Sequence, residues 1–129
     1  MPFDFVIDAE HRIVYSRGWG VFTKADVLAH RQRLKANPQF DATFRQLADF
    51  SGVTRFAISA TSVKALTTSD PWDSDARRAF LAPADVVFGM ARMYEMLMGK
   101  FTSNIAVFRR AEEAERWLRV EEDEPRARP

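Results

Sequence analysis

Residues 46–66, QLADFSGVTRFAISATSVKAL, carry more architectural information than any other stretch of the chain. Leu47 and Ala48 belong to a strand expected over 44–50 and point to the interior, while Gly52 punctuates a loop after it. Ser59 is placed to cap a short helix in which Ala60, Val63 and Leu66 share one face. A small polar residue that opens a helix beside a sheet end is a natural contact point for phosphate, ligand or partner. The stretch nevertheless holds no complete catalytic set.

On its N-terminal side, Phe3, Phe5 and Ile7 alternate with Asp4, Val6 and Asp8, the period-two pattern of a strand. A polar turn over 9–12 leads to a second strand beginning at 13–15, which Gly18 and Gly20 are expected to end. Thr23 is the expected N-cap of a helix over 24–36, with Val27, Leu28, Arg31 and Leu34 setting its spacing and Asn37-Pro38 stopping it. On the C-terminal side, 67–75 is polar and turn-like, and 78–81 is a strand. Pro83 stands near the first turn of the longest helix, 84–100. A strand over 104–108 and a helix over 111–118 follow. The order β-β-α-β-α-β-α-β-α implies an α/β domain with a mixed, mostly parallel sheet packed by helices. One domain over 1–120 precedes a charged, proline-bearing tail, 121–129, expected to fray.

Composition limits the function classes. At 129 residues and 47% hydrophobic, with eleven Phe and three Trp, the chain can bury one substantial core. Nineteen basic against eighteen acidic residues leave no surplus of the kind nucleic-acid binding needs. The absence of cysteine excludes disulfides, thiolate metal sites and cysteine nucleophiles. The N-terminus has an acidic residue at position 4 and lacks the apolar run of a signal peptide. Asp85, Arg92 and Glu95 interrupt the most apolar segment, 84–98, which is too short to span a bilayer. A soluble cytoplasmic protein is expected.

Asp70, Asp73 and Asp75 cluster around Trp72, next to Arg77 and Arg78. They read as a solvated loop whose acids neutralise its arginines, since the glycine turn and distal glutamate of a calcium loop are missing. His11 and His30 are expected at the surface. No nucleophile-elbow or phosphate-loop pattern occurs, so neither catalysis nor a cofactor or metal is expected. On the long helix, Val87, Met90, Ala91, Tyr94, Leu97, Met98 and Phe101 are spaced to cover the sheet, and Val86, Met93 and Met96 widen the apolar arc. That helix reads as a core helix. A sharper reading has Met90, Met93, Tyr94, Met96 and Leu97 forming a homodimer face or lining an apolar pocket. Among the tryptophans, Trp19 is expected to close one end of the core, Trp117 to anchor it beside Leu118, and Trp72 to be the exposed one.

Several segments together resemble the STAS domain of anti-sigma-factor antagonists, the SpoIIAA-like proteins, in a small bacterial form. They are Gly18-Trp19-Gly20 followed by Thr23, LADFSGV at 47–53, the 77–83 strand running into a helix, and Val107-Phe108-Arg109 leading to Glu113-Ala114 and Trp117-Leu118. The resemblance covers about residues 3 to 119, and order and spacing carry it. It implies a non-enzymatic regulatory or protein-interaction module. The expected partner or modification surface comprises Asp49, Ser51, Ser59, Thr61, Ser62, Trp72 and Arg77. In regulatory members a serine or threonine at the helix start, in an Asp-Ser-Ser-Gly-like sequence, is phosphorylated by a partner kinase. Here that region is FAISATS, 56–62, with no aspartate before Ser59 and no glycine after it, so Ser59 is expected to be a helix cap. The alternative that the resemblance implies is a carrier of lipid or another small apolar ligand, with a pocket between the long helix and the sheet lined by Met90, Tyr94 and Leu97.

Overall fold

The computed structural model describes residues 2–123, with side chains through Arg119. Five strands form one sheet: β1 (Phe3–Asp8), β2 (Ile13–Thr23), β3 (Arg45–Ala57), β4 (Arg78–Leu81) and β5 (Ile105–Phe108), in spatial order β1-β2-β3-β4-β5. The β1–β2 hairpin is antiparallel and every later pairing is parallel. The helices are α1 (Lys24–Ala36), α2 (Ala60–Ala65), α3 (Asp85–Met98) and α4 (Ala111–Asp123), with a 3-10 turn at Leu66–Ser69 following α2. The expected α/β architecture and element order are those observed. Of the tail expected to fray, 121–129, residues 121–123 continue α4, and 124–129 lie outside the described residues.

A strand order that advances in one direction places crossovers of one hand on one face of the sheet. α1, α2 and α3 accordingly share a face, and α4, which follows the last strand, covers the other. Alternation then sorts the side chains. Val14, Ser16, Gln46, Ala48, Arg78 and Phe80 face α1–α3, whereas Ile13, Leu47 and Ala79 meet Ala114, Trp117 and Leu118 of α4.

Local chemistry explains the helix starts. Thr23 Oγ1 accepts from Asp26 N, and the Asp26 carboxylate accepts from Thr23 N at 2.8 Å, a reciprocal capping box that opens α1. Ser59 Oγ accepts from Ser62 N at 3.1 Å and caps α2.

The glycines behave differently from the sequence expectation. Gly18 and Gly20 do not end β2, and Gly52 lies within β3 rather than in a loop. The β2–β3 register shifts twice, between Arg17 and Trp19 and between Gly20 and Val21. Gly20 takes φ +65° there, a conformation that favours glycine, and a Cβ on Gly52 would approach Gly18 O to 3.1 Å. These glycines accommodate bulges, which let two long strands stay paired while bending.

α3 buries Val87, Ala91, Tyr94 and Met98. Met90, Met93 and Leu97 pack partly buried against the same core, while Val86 and Met96 are 66% exposed. Phe101, expected to cover the sheet, is 55% exposed because it lies past the helix end.

Candidate functional site

Three polar residues occupy inward positions on neighbouring strands: Ser16 on β2, Gln46 on β3 and Arg78 on β4. Gln46 and Arg78 are direct cross-strand partners. Above them α1 presents His30 and Arg31 on the stripe between Val27 and Leu34, one turn from each. The loop after the 3-10 turn supplies Asp70, and α3 supplies Tyr94.

These groups form one continuous buried network. His30 Nε2 and Ser16 Oγ share a hydrogen bond of 3.0 Å, and Gln46 Nε2 donates to the same Ser16 oxygen at 3.0 Å. Arg78 Nε donates to Gln46 Oε1 at 3.1 Å, and its Nη1 donates to Asp70 Oδ2 at 2.8 Å. The Tyr94 hydroxyl donates to that carboxylate oxygen, while Trp72 N donates to Oδ1. Arg31 Nη2 donates to Tyr94 Oη at 2.8 Å and its Nη1 reaches Leu66 O and Ser69 Oγ. The Asp70 side chain is only 4% exposed. Such a network specifies its geometry because an unpaired member would carry the full desolvation penalty.

Protonation follows from burial and neighbours. His30 is pushed down to about 3, chiefly by burial and then by Arg33 and Arg31, so its ring is neutral near pH 7. Burial alone would raise the Asp70 carboxyl. The Arg78 charge, the Tyr94 hydrogen bond, the Trp72 N–H and the Arg31 charge together outweigh it, and the group stays below the usual carboxylate range. Tyr94 is pushed up by burial and by the Asp70 charge and remains protonated.

Beside this network lies a cavity of about 100 Å³ between the sheet and helices α1, α2 and α3. Its walls are mostly apolar and aromatic, including Phe22, Phe50, Phe80 and Met90, and His30, Arg31, Gln46, Arg78 and Tyr94 form its polar end. The half-buried wall residues Val27, Phe50, Phe56 and Met90 belong to its apolar part, whereas the charged groups are deeply buried. On the opposite face a wider cleft of about 450 Å³ is lined by His11 of the β1–β2 turn, Tyr15 of β2, Arg45 at the start of β3, and Glu115 and Arg119 of α4, among others.

The expected partner surface is distributed over separate places. Asp49 lies in β3 and accepts from Ser51 N and Oγ at 2.8 and 2.6 Å. Ser59 and Thr61 are exposed and Ser62 half-buried at the start of α2, on an element whose Val63 lines the cavity. No hydrogen bond among the described residues joins the Asp49–Ser51 pair to that turn. Trp72, expected to be exposed, is half-buried: it packs edge-on against Phe40 at 5.0 Å, lines the cavity, and carries the Arg78 guanidinium over its ring at 5.2 Å. Arg77 turns to the other face, stacking on Trp117 at 4.0 Å and donating to Trp117 O at 2.8 Å. Of the long-helix candidates, Met90 and Tyr94 line the cavity; Met93, Met96 and Leu97 do not. Trp19 is half-buried beside Gly52 and outside the core clusters, whereas Trp117 packs under α4 as expected.

Two further expectations are overturned. His30 is 2% exposed rather than a surface residue, and Asp70 is drawn inward while Asp73 and Asp75 remain exposed. Ser16, Gln46, His30, Arg31, Asp70 and Arg78 were not visible as a site because they come from five separate segments. A signal existed in two of them: Gln46 alternates with Ala48 and Phe50, and His30 and Arg31 interrupt the apolar stripe of α1.

No protein-family model matches the chain, and no curated protein matches it. Among solved structures it is similar to an uncharacterized protein from the DUF3478 family with a SpoIIAA-like fold, from Shewanella loihica PV-4. The two share 13% sequence identity with a TM-score of 0.56, over 90% of this chain and 91% of that chain. Identity at that level speaks to the fold alone. A mixed five-stranded sheet with three helices on one face and one on the other, laid over nearly the whole of both chains, gives this protein a STAS/SpoIIAA-like α/β fold.

Proposed function

We propose that this chain is a non-enzymatic regulatory module that binds a small molecule between α3 and the sheet. The cavity carries this reading: an apolar chamber with a few convergent, buried polar groups is the usual form of a ligand site. At about 100 Å³ it suits a ligand of benzene-like size and is far smaller than the ≈ 300–1,000 Å³ of sites for larger molecules, so a bilayer lipid does not fit. The nearest thing to a catalytic pair supports binding rather than turnover. Ser16 lies outside the cavity lining with its oxygen already engaged by Gln46, and His30 is too weak a base near pH 7 to activate it.

The test is a thermal-denaturation series with benzyl alcohol and benzoate. A rise in Tm with at least one of them, lost in Met90→Trp, supports the reading; no shift with either at millimolar concentration sinks it. A protein-facing role is favoured by a separate observation, the exposed Val86, Met96 and Phe101 along and just beyond α3. A homodimer through that surface would sediment as such at micromolar concentration, and a monomer throughout would remove it. Ser59, at the start of α2, is exposed as well. If Ser59→Ala and Ser59→Asp leave partner binding alike, its role is that of a cap.

A further inference from the structure

The buried network is not electrically balanced. Arg31 and Arg78 contribute two positive charges, Asp70 one negative, and His30 none near pH 7, which leaves +1 in the interior. An uncompensated buried charge is costly, and proteins normally pair it. The second guanidinium therefore lacks a full counter-charge within the cluster, and both arginines face the cavity.

The hydrogen-bond inventory points to the same place. Arg31 uses Nη1 on Leu66 O and Ser69 Oγ and Nη2 on Tyr94. Arg78 uses Nε on Gln46 and Nη1 on Asp70, and among the described residues its Nη2 makes no hydrogen bond. That nitrogen belongs to a planar donor fork suited to oxyanions. Trp72 and Phe80, over which the same guanidinium lies at 5.2 and 5.5 Å, hold its plane in place.

We infer that the cavity takes a small monoanion, a carboxylate on a compact apolar body, with its head at Arg78 and its body among Phe22, Phe50, Phe80 and Met90. The inference rests on the ligand-site reading above and adds the chemical class. Charge selects a monoanion: one carboxylate brings the cluster to neutrality, whereas a phosphate dianion would overshoot and leave a buried negative charge. Volume selects the body, since a cavity of about 100 Å³ has room for one ring or a short chain. The orientation follows from burial, because the charged groups lie deep and part of the apolar wall is half-exposed.

The experiment is calorimetric titration of the full chain at pH 7 with benzoate, benzyl alcohol and phenyl phosphate. Benzoate is expected to bind roughly tenfold or more tighter than either of the others. Arg78→Met should remove that preference while leaving benzyl alcohol binding in place, and Met90→Trp should remove both. Equal binding of benzoate and benzyl alcohol overturns the anion inference and leaves the ligand site standing. Binding of none of the three overturns both. Tighter binding of phenyl phosphate than of benzoate overturns the monoanion assignment, and unchanged benzoate binding in Met90→Trp overturns its location. The titrations of the unmodified protein decide the class even if Arg78→Met fails to fold.

Discussion

The two faces of the sheet are made from alternate residues of the same strands, yet they solve different problems. Under α4, Ile13, Leu47 and Ala79 meet Ala114, Trp117 and Leu118, a compact apolar contact whose arginines stay at its edge, Arg77 stacking on Trp117 and Arg45 donating to Leu118 O. Under α1–α3, the neighbouring positions Ser16, Gln46 and Arg78 join His30, Arg31, Asp70 and Tyr94 in a buried polar chain beside a cavity. One residue of register separates the two. The first face stabilises by excluding water. The second stabilises only if every partner arrives, because buried polar groups without partners are destabilising. A face built in the second way at some cost in stability is where a ligand site is expected.

The difference has measurable consequences. The largest belongs to Asp70→Asn, which leaves two buried guanidinium groups without a counter-charge and is expected to lower unfolding free energy by about 3–5 kcal/mol in urea titrations. A loss below 1 kcal/mol would mean the network is hydrated and the contrast between the faces is false.

The next effect is a pH dependence. Folded His30 takes up its proton only near pH 3, whereas the unfolded chain does so near its ordinary value of 6.5. Between those values the unfolded state binds the extra proton, so stability is full above pH 6.5 and falls as the pH drops. This one group contributes a slope of up to about 1.4 kcal/mol per pH unit. Asp70 adds in the same direction only below its ordinary 3.8. Urea midpoints from pH 7 to pH 4 should decline in the unmodified protein and decline less in His30→Gln. Equal slopes in both would show that His30 is not buried neutral.

On the α4 face, Ile13→Val removes one methylene from an apolar contact and is expected to lower stability by about 1 kcal/mol, leaving the pH slope unchanged. A change in that slope would mean the two faces are coupled. Smallest is Asp73→Asn at the exposed loop beside Asp70, expected within about 0.5 kcal/mol in the same titration. A loss like that of Asp70→Asn would erase the distinction between inward and outward acids in one loop.

Much of the architecture was legible because it is local. Period-two alternation marked Phe3–Asp8, Thr23 marked the start of α1, and Ser59 marked that of α2; each signal involves residues within one turn or one strand. The glycines misled because Gly18, Gly20 and Gly52 terminate strands in one context and relieve bulges in another, and only the neighbouring strand distinguishes them. Asp70 misled for a related reason. Three aspartates within six positions look alike until Arg31, Arg78 and Tyr94 select one of them.

Chain order, helix caps and the alternation that assigns side chains to two faces are therefore properties of short segments, and they specify a STAS-like sheet with helices on both sides. The site is of another kind. Arg31 and Tyr94 are 63 positions apart and meet at 2.8 Å, and Gln46 and Arg78 are 32 apart and meet at 3.1 Å. Whether a polar side chain is buried depends on whether its partners reach it from distant elements, and no local pattern records that. Packing settled the neutral His30, the inward Asp70, the half-buried Trp72 and the cavity beside them.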